Sequence, residues 1–297
     1  MMIKLFSPLF IFIFCAGLAA QSEVQPVFDA DKALARAAEE KGMRAGFLES
    51  LSADSVIFRP EAVNGHEYWT KNAEPPSARL IRRLTFGDTS SSGLLGYTTG
   101  SWRLYPKENG EALAEFGEYV TIWERGLDGK FRASLDIEIA HDKLSFLETD
   151  KTERVDNSRD PNKRGWSPAD ASMNFLRTSM SRERLGAAYE QFAAKDVRLL
   201  IEREAPILGK KRVVSEMQRY ISIEFPKKVA LFQSADMAYT WNTCQFANTD
   251  EGTESGNCLH IWKLRDKKWY IVLGVFARVK STTAPTLKVR PKRKKPQ

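Results

Sequence analysis

The chain carries one passage twice, and this repeat constrains its fold more than any other feature. Residues 117–132 read GEYVTIWERGLDGKFR, and residues 256–270 read GNCLHIWKLRDKKWY. Each opens on Gly and alternates in polarity along a strand centred on Ile-Trp (Ile122-Trp123, Ile261-Trp262). Each then turns through charged residues and re-enters a strand on an aromatic, Phe131 or Trp269. Upstream, each half turns into a strand through Ala and Asp: ADSVIF from residue 53 and AKDVRLL from residue 194. The landmarks recur about 140 residues apart, too long for a solenoid period and right for two copies of one domain.

A chain of 297 residues has room for two cores, and 42% hydrophobic with 11% aromatic residues is ordinary globular composition. Residues 1–20 read as a signal peptide. Lys4 starts it, Leu5 to Leu18 are apolar, and Gly17-Leu18-Ala19-Ala20 offers small residues for cleavage. The apolar run is short for a bilayer span, so export to the periplasm, or secretion, is expected; an uncleaved N-terminal anchor is the alternative. Cleavage would leave two cysteines, Cys244 and Cys258, on strands that converge on the polar turn Asp250–Ser255. They are expected to face each other across a hairpin and to pair in an oxidising compartment; two free thiols are the alternative. The net charge of +7 is local: removing Lys4 and the seven cations of the tail (Lys280 and Lys288 to Lys295) leaves a body of −1. Residues 281–297, a basic Pro-punctuated tail, are expected to be disordered, with an anionic envelope or membrane surface as the partner for Lys288–Lys295, or with no partner. Nucleic acid is not expected as a partner.

Residues 27–51 carry a helical stripe (Val27, Leu34, Ala38, Met43, Phe47, Leu51) interrupted at Gly42. Ser167-Pro168 is an N-cap with Pro at the first helical position, and Phe175, Leu176, Met180, Leu185, Tyr189 and Phe192 form the second stripe. A short strand, a loop, a short helix and three or four longer strands follow in each half. Helices followed by antiparallel strands give an α+β fold of two domains, 25–148 and 169–280, joined by the polar linker 149–168.

The order helix, helix, Ala53-Asp54 strand, Asn64-Gly65 loop, short helix and terminal hairpin resembles the nuclear transport factor 2-like superfamily, nearest its SnoaL-like and unknown-function bacterial branches. Phe47, Gly96-Tyr97-Thr98-Thr99-Gly100, Tyr119-Val120, Trp123 and Asp128-Gly129-Lys130 also carry the likeness. It is fuller over 27–147 than over 169–279, where the Gly-Tyr-Thr-Thr-Gly and Asp-Gly signatures are missing. The resemblance implies two tandem cone-shaped (cystatin-like) domains, each with helices packed on a curved antiparallel sheet. It also implies an open end able to hold a small ligand, often in a dimer. A fold by itself implies no activity.

Pairing Arg125 with Lys130 across the first hairpin turn sets Trp123 opposite Arg132, Thr121 opposite Ser134 and Tyr119 opposite Asp136, with Glu138 on the same face. The other face (Val120, Ile122, Phe131, Ala133, Leu135, Ile137) is apolar and suits a core or an interface. The polar face supports three readings. In the first it is an ordinary solvated face. In the second it lines a binding pocket of Tyr119, Thr121, Trp123, Ser134, Asp136 and Glu138, with Trp69 and Trp102 as stacking walls and His66 at the mouth. In the third it transfers protons as in a ketosteroid-isomerase-like or SnoaL-like isomerase or lyase, with Asp136 as base and Tyr119 as hydrogen-bond donor. The second copy has Tyr270, Val272, Gly274 and Phe276 in place of the polar residues, so it cannot share that chemistry; it is expected to be structural, to hold an apolar ligand, or to supply a dimer surface. The separations of His66, His141 and His260 fit no metal signature, and there is no phosphate loop, nucleophile elbow or His-Glu-x-x-His helix. No cofactor or metal is expected. The favoured expectation is non-catalytic binding of a small, partly apolar ligand in the first cone; an interaction module at the cell envelope is the third reading.

Overall fold

The computed structural model describes residues 24–72, 78–105, 115–141, 167–180, 184–222, 226, 228–248 and 252–279. The expected signal peptide, most of the linker and the basic tail lie outside these residues.

The first half begins with α1 (Gln25–Lys41) and α2 (Met43–Ser50), separated at Gly42, whose φ of 94° suits a residue without a side chain. Then come β1 (Leu51–Phe58), β2 (Ala62–Asn64), α3 (Gly65–Lys71), β3 (Arg79–Thr89), β4 (Leu95–Tyr105), β5 (Glu115–Arg125) and β6 (Phe131–Ala140). Asn64 caps α3 by accepting from the Glu67 amide at 2.7 Å. The second half runs α4 (Pro168–Ser179), α5 (Arg184–Phe192), β7 (Ala193–Ile201), β8 (Ile207–Leu208), α6 (Lys210–Met217), β9 (Tyr220–Ser222), β10 (Ala230–Ser234), β11 (Met237–Asn248), β12 (Gly252–Arg265) and β13 (Lys268–Val279). Ser167 and Asp170 close a reciprocal capping box on α4.

The sheet orders correspond. The first is β2-β1-β6-β5-β4-β3. The second is β8-β7-β13-β12-β11-β10, with β9 added beside β11. In each sheet the strand after the helices runs parallel to the last strand of its half, β1 beside β6 and β7 beside β13, and every other pairing is antiparallel. The repeated Gly has a physical reason. A Cβ at Gly117 would run into the carbonyl oxygen of Ile139, and one at Gly256 into that of Ala277, so both hairpins need a residue without a side chain there. The architecture implied by the resemblance, helices on curved antiparallel sheets, is the one observed.

Three apolar clusters organise the molecule. One fills the first cone (Val27, Leu34, Phe47, Trp69, Trp102, Trp123) and one the second (Phe175, Tyr189, Phe192, Phe246, Trp262, Phe276). The third lies between the sheets. Val120, Ile122, Leu135 and Ile137 meet Leu259, Ile261, Leu273 and Val275 there. The apolar faces considered as homodimer surfaces are thus covered by one another within the chain. Polar contacts fix the arrangement. Lys263, 2% exposed, reaches the Thr89 carbonyl at 2.5 Å and Asp88 at 3.2 Å, and the Asp236 carboxylate accepts from the Ser91 amide at 2.6 Å.

Cys244 and Cys258 form a disulfide with their Cα atoms 6.0 Å apart. The pairing expected from sequence is present, but the directly opposed placement expected with it is not. Cys244 pairs with Gly256 and Cys258 with Asn242, so the bridge is diagonal across β11 and β12.

Candidate functional site

The hairpin β5–β6 has a different register from the one expected. Arg125 pairs with Phe131, Glu124 with Arg132 and Trp123 with Ala133. A bulge at Ser134 then sets Thr121 opposite Asp136 and Tyr119 opposite Glu138. A bulge turns residues on its two sides to opposite faces. Tyr119, Thr121, Trp123 and Asp136 therefore face inward together. Ala133 joins Trp123 in the cone core, Arg132 turns out to pair with Asp128 at 2.7 Å, and Ser134 lies by Tyr239 of the second half. Ser134 thus does not belong to the inner face.

The inner face carries a buried hydrogen-bond network, in which Arg82 Nε and Nη1 have no hydrogen-bond partner. Asp31, on the buried side of α1, accepts from Thr98 Oγ1 at 2.7 Å and from Tyr119 Oη at 2.8 Å. Trp123 Nε1 donates to Thr98 Oγ1 at 2.8 Å. Arg82 Nη2 donates to Thr121 Oγ1 at 2.7 Å and to Asp136 Oδ1 at 2.9 Å, and its guanidinium lies 3.7 Å from the Tyr119 ring centroid. Burial raises the pKa of Asp31, with the Arg82 charge opposing the shift, and burial pushes the Tyr119 hydroxyl well above its ordinary value. Burial disfavours the Arg82 cation too, but Asp136, Tyr119 and Asp31 outweigh it and hold the proton more tightly. Asp31 and Arg82 are the charged members absent from the sequence reading.

A cavity of about 360 Å³ lies nearer the open end of the cone. Phe47, Trp69 and Trp102 give it aromatic walls, Met43, Leu80 and Leu104 aliphatic ones, and Arg59, Glu115, Glu138 and Glu202 its charges. Trp69 stacks on Phe47 with ring centroids 5.1 Å apart, and the Trp102 indole donates to the Glu118 and Ile139 carbonyls at 3.1 and 3.2 Å. Arg59 Nη2 lies 3.4 Å from Glu138, whose pKa burial raises against the pull of Arg59. Glu202 comes from the second half. Its Oε1 accepts from the Ala140 amide at 2.9 Å, while the Arg203 amide donates to the Ala140 carbonyl at 2.7 Å, clamping the end of β6 to the residues after β7.

Of the residues singled out from sequence, Trp69, Trp102 and Glu138 line this cavity. Tyr119, Thr121, Trp123 and Asp136 lie in the network and are not among its lining residues. His66, half-buried on α3, does not line it either; its carbonyl accepts from Thr70. A proton-transfer base must come within hydrogen-bond reach of its substrate. Asp136 is 2% exposed and committed to Arg82 and Thr121, and Tyr119 is committed to Asp31.

The second cone contains a space of about 20 Å³, room for a water rather than an organic ligand. Phe175, Tyr189, Phe246, His260 and the disulfide line it. His260 meets Tyr189 Oη at 3.0 Å, and burial pushes its pKa down to about 4. Among the described residues no three His, Cys, Asp or Glu side chains gather as a metal site requires, and no helix is long and apolar enough to cross a membrane.

No protein-family model and no curated protein matches the chain. Solved structures similar to it include an NTF2-like protein from Cytophaga hutchinsonii, 11% identical, covering 38% of this chain and 100% of that one with a TM-score of 0.33. An NTF2-like protein of unknown function from Prochlorococcus is 18% identical over 39% of this chain and 96% of that one, with a TM-score of 0.32. A ketosteroid isomerase-like protein from Erwinia carotovora atroseptica is 15% identical over 38% and 94%, with a TM-score of 0.32. At these scores the likenesses add nothing to what the strand order of the two sheets already establishes.

Proposed function

We propose that this chain is an exported binding protein whose first cone takes up one small, partly apolar molecule, while the second cone serves as a structural partner. The observation that carries the reading is the contrast between the cones: about 360 Å³ behind aromatic walls in the first, about 20 Å³ in the second. A volume of the first size lies within the range of small-molecule sites, which combine mostly apolar walls with a few placed polar groups. Arg59 and Glu138 are such groups. The disulfide between Cys244 and Cys258 supports an oxidising, exported setting.

A second reading keeps chemistry in the same cavity. Glu138, rather than Asp136, would then be the base, because it reaches the wall and burial raises its pKa.

The test is native mass spectrometry of full-length protein exported to a bacterial periplasm. The reading predicts one co-purifying small molecule per chain, lost in Leu104→Trp, which fills the cavity, with the thermal midpoint unchanged. Protein that never carries a small molecule, or carries the same one in Leu104→Trp, contradicts it.

A further inference from the structure

We propose that the cavity of the first cone takes an organic cation, an ammonium group carried on a compact apolar body, and that Glu202 of the second half is one of its charge-recognising walls. The inference rests on the binding reading above and gives it a ligand class.

The wall already holds one cation. The Arg59 guanidinium lies 6.0 Å from the Trp69 ring centroid, 5.9 Å from that of Tyr68 and 3.4 Å from Glu138. Aromatic rings attract positive charge through their quadrupole, and the attraction grows as water is excluded. Arg59 and Glu138 offset each other, which leaves Glu115 and Glu202 as the remaining charged groups of the wall, both negative. Two further cations, Arg203 and Arg278, act on Glu202 from outside the wall. Arg278 is engaged by Glu254 at 2.9 Å, and Arg203 is exposed and not part of the wall. Burial raises the pKa of Glu202 and Glu115 adds to the rise, while the Ala140 amide, Arg203 and Arg278 oppose it. Behind the wall, the Arg82 charge is opposed by Asp136, 2.9 Å away, and by Asp31. An anion placed here would find only Arg59, already paired with Glu138, whereas a cation would find Glu115, Glu202 and the ring faces.

Glu202 also makes the site a property of the whole chain. Its carboxylate is positioned by the Ala140 amide, so the second half both packs on the first and completes its cavity. Glu202→Gln retains an oxygen for that amide and removes only the charge.

The test is calorimetry on the full-length protein with three probes: phenyltrimethylammonium, its neutral isostere tert-butylbenzene, and benzoate. The cation is expected to bind at least about tenfold more tightly than benzoate. Glu202→Gln is expected to weaken the cation about threefold to tenfold, and Glu115→Gln with Glu202→Gln to weaken it further, while tert-butylbenzene binding stays unchanged and so reports an intact cavity. Benzoate binding best, or cation binding indifferent to both variants while tert-butylbenzene still binds, overturns the cation class and leaves the cavity reading standing. Failure of all three probes to bind the wild-type protein overturns both.

Discussion

Arg82 Nη2 lies 2.9 Å from Asp136 Oδ1 with neither side chain significantly exposed, and this pair separates the floor of the first cone from its mouth. The floor is a buried polar network in which Arg82 bonds through Nη2 alone, its Nε and Nη1 having no hydrogen-bond partner. The mouth is a cavity walled by Phe47, Trp69 and Trp102. A carboxylate on the floor orders α1, β3, β5 and β6 against one another, whereas a carboxylate on the wall can meet a ligand.

Breaking the pair from one side leaves a buried charge without its complement. Asp136→Asn is expected to cost about 3–5 kcal/mol in denaturant unfolding. Replacing both partners with apolar residues, Arg82→Met with Asp136→Leu, should cost less than the single change. A double variant as unstable as the sum of its singles would show that the two groups do not act as a pair.

Much of this was legible, and the failures have particular causes. Period-2 alternation places Tyr119, Thr121 and Trp123 on one face, and the Ile-Trp repeat marks both hairpins. The bulge at Ser134 was not visible in the alternation and moved the register beyond it by one residue. Asp31 left a signal that polarity obscured: it sits four residues after Val27 and three before Leu34, on the buried stripe of α1. Arg82 likewise sits two residues after Leu80 on the inner face of β3. A charge on an apolar stripe marks either a surface or a paired core site, and only tertiary contacts decide which. Glu202 could not be found from the first half alone, because the second half brings it to the wall.

Glu118 gives a pH prediction. It is 9% exposed on β5, and burial raises its pKa to about 7, with Arg198 opposing the shift. The unfolded carboxyl titrates near 4.5, so between about pH 4.5 and 7 the native state holds a proton that the unfolded state has lost. The contribution of Glu118 is therefore fully present below about 4.5 and lost as pH rises through about 7. Glu118→Gln should be the more stable protein at pH 8, by up to about 3 kcal/mol, with the advantage vanishing near pH 4. A stability difference that does not change with pH contradicts this.

His260 works in the opposite sense. Its pKa is held at about 4, so between about pH 6.5 and 4 the unfolded chain takes up a proton that the native state refuses, and stability falls on acidification. His260→Asn should flatten that part of the pH–stability curve. An unchanged acid limb would place the sensitivity elsewhere.

The bond between Cys244 and Cys258 closes a short loop, with a sequence separation of 14. Its loss in Cys244→Ser with Cys258→Ser is expected to cost about 3 kcal/mol in the chain-entropy model. Unfolding of the wild type with and without reductant checks the value, and equal midpoints would show that the bridge adds no stability.

The claim that one cone binds and the other only supports is tested most directly by a crystal structure of the full-length protein soaked with tert-butylbenzene. Density between Phe47, Trp69 and Trp102, with none beside His260, is the predicted result. Density in the second cone, or an empty first cone at saturating probe, would contradict it.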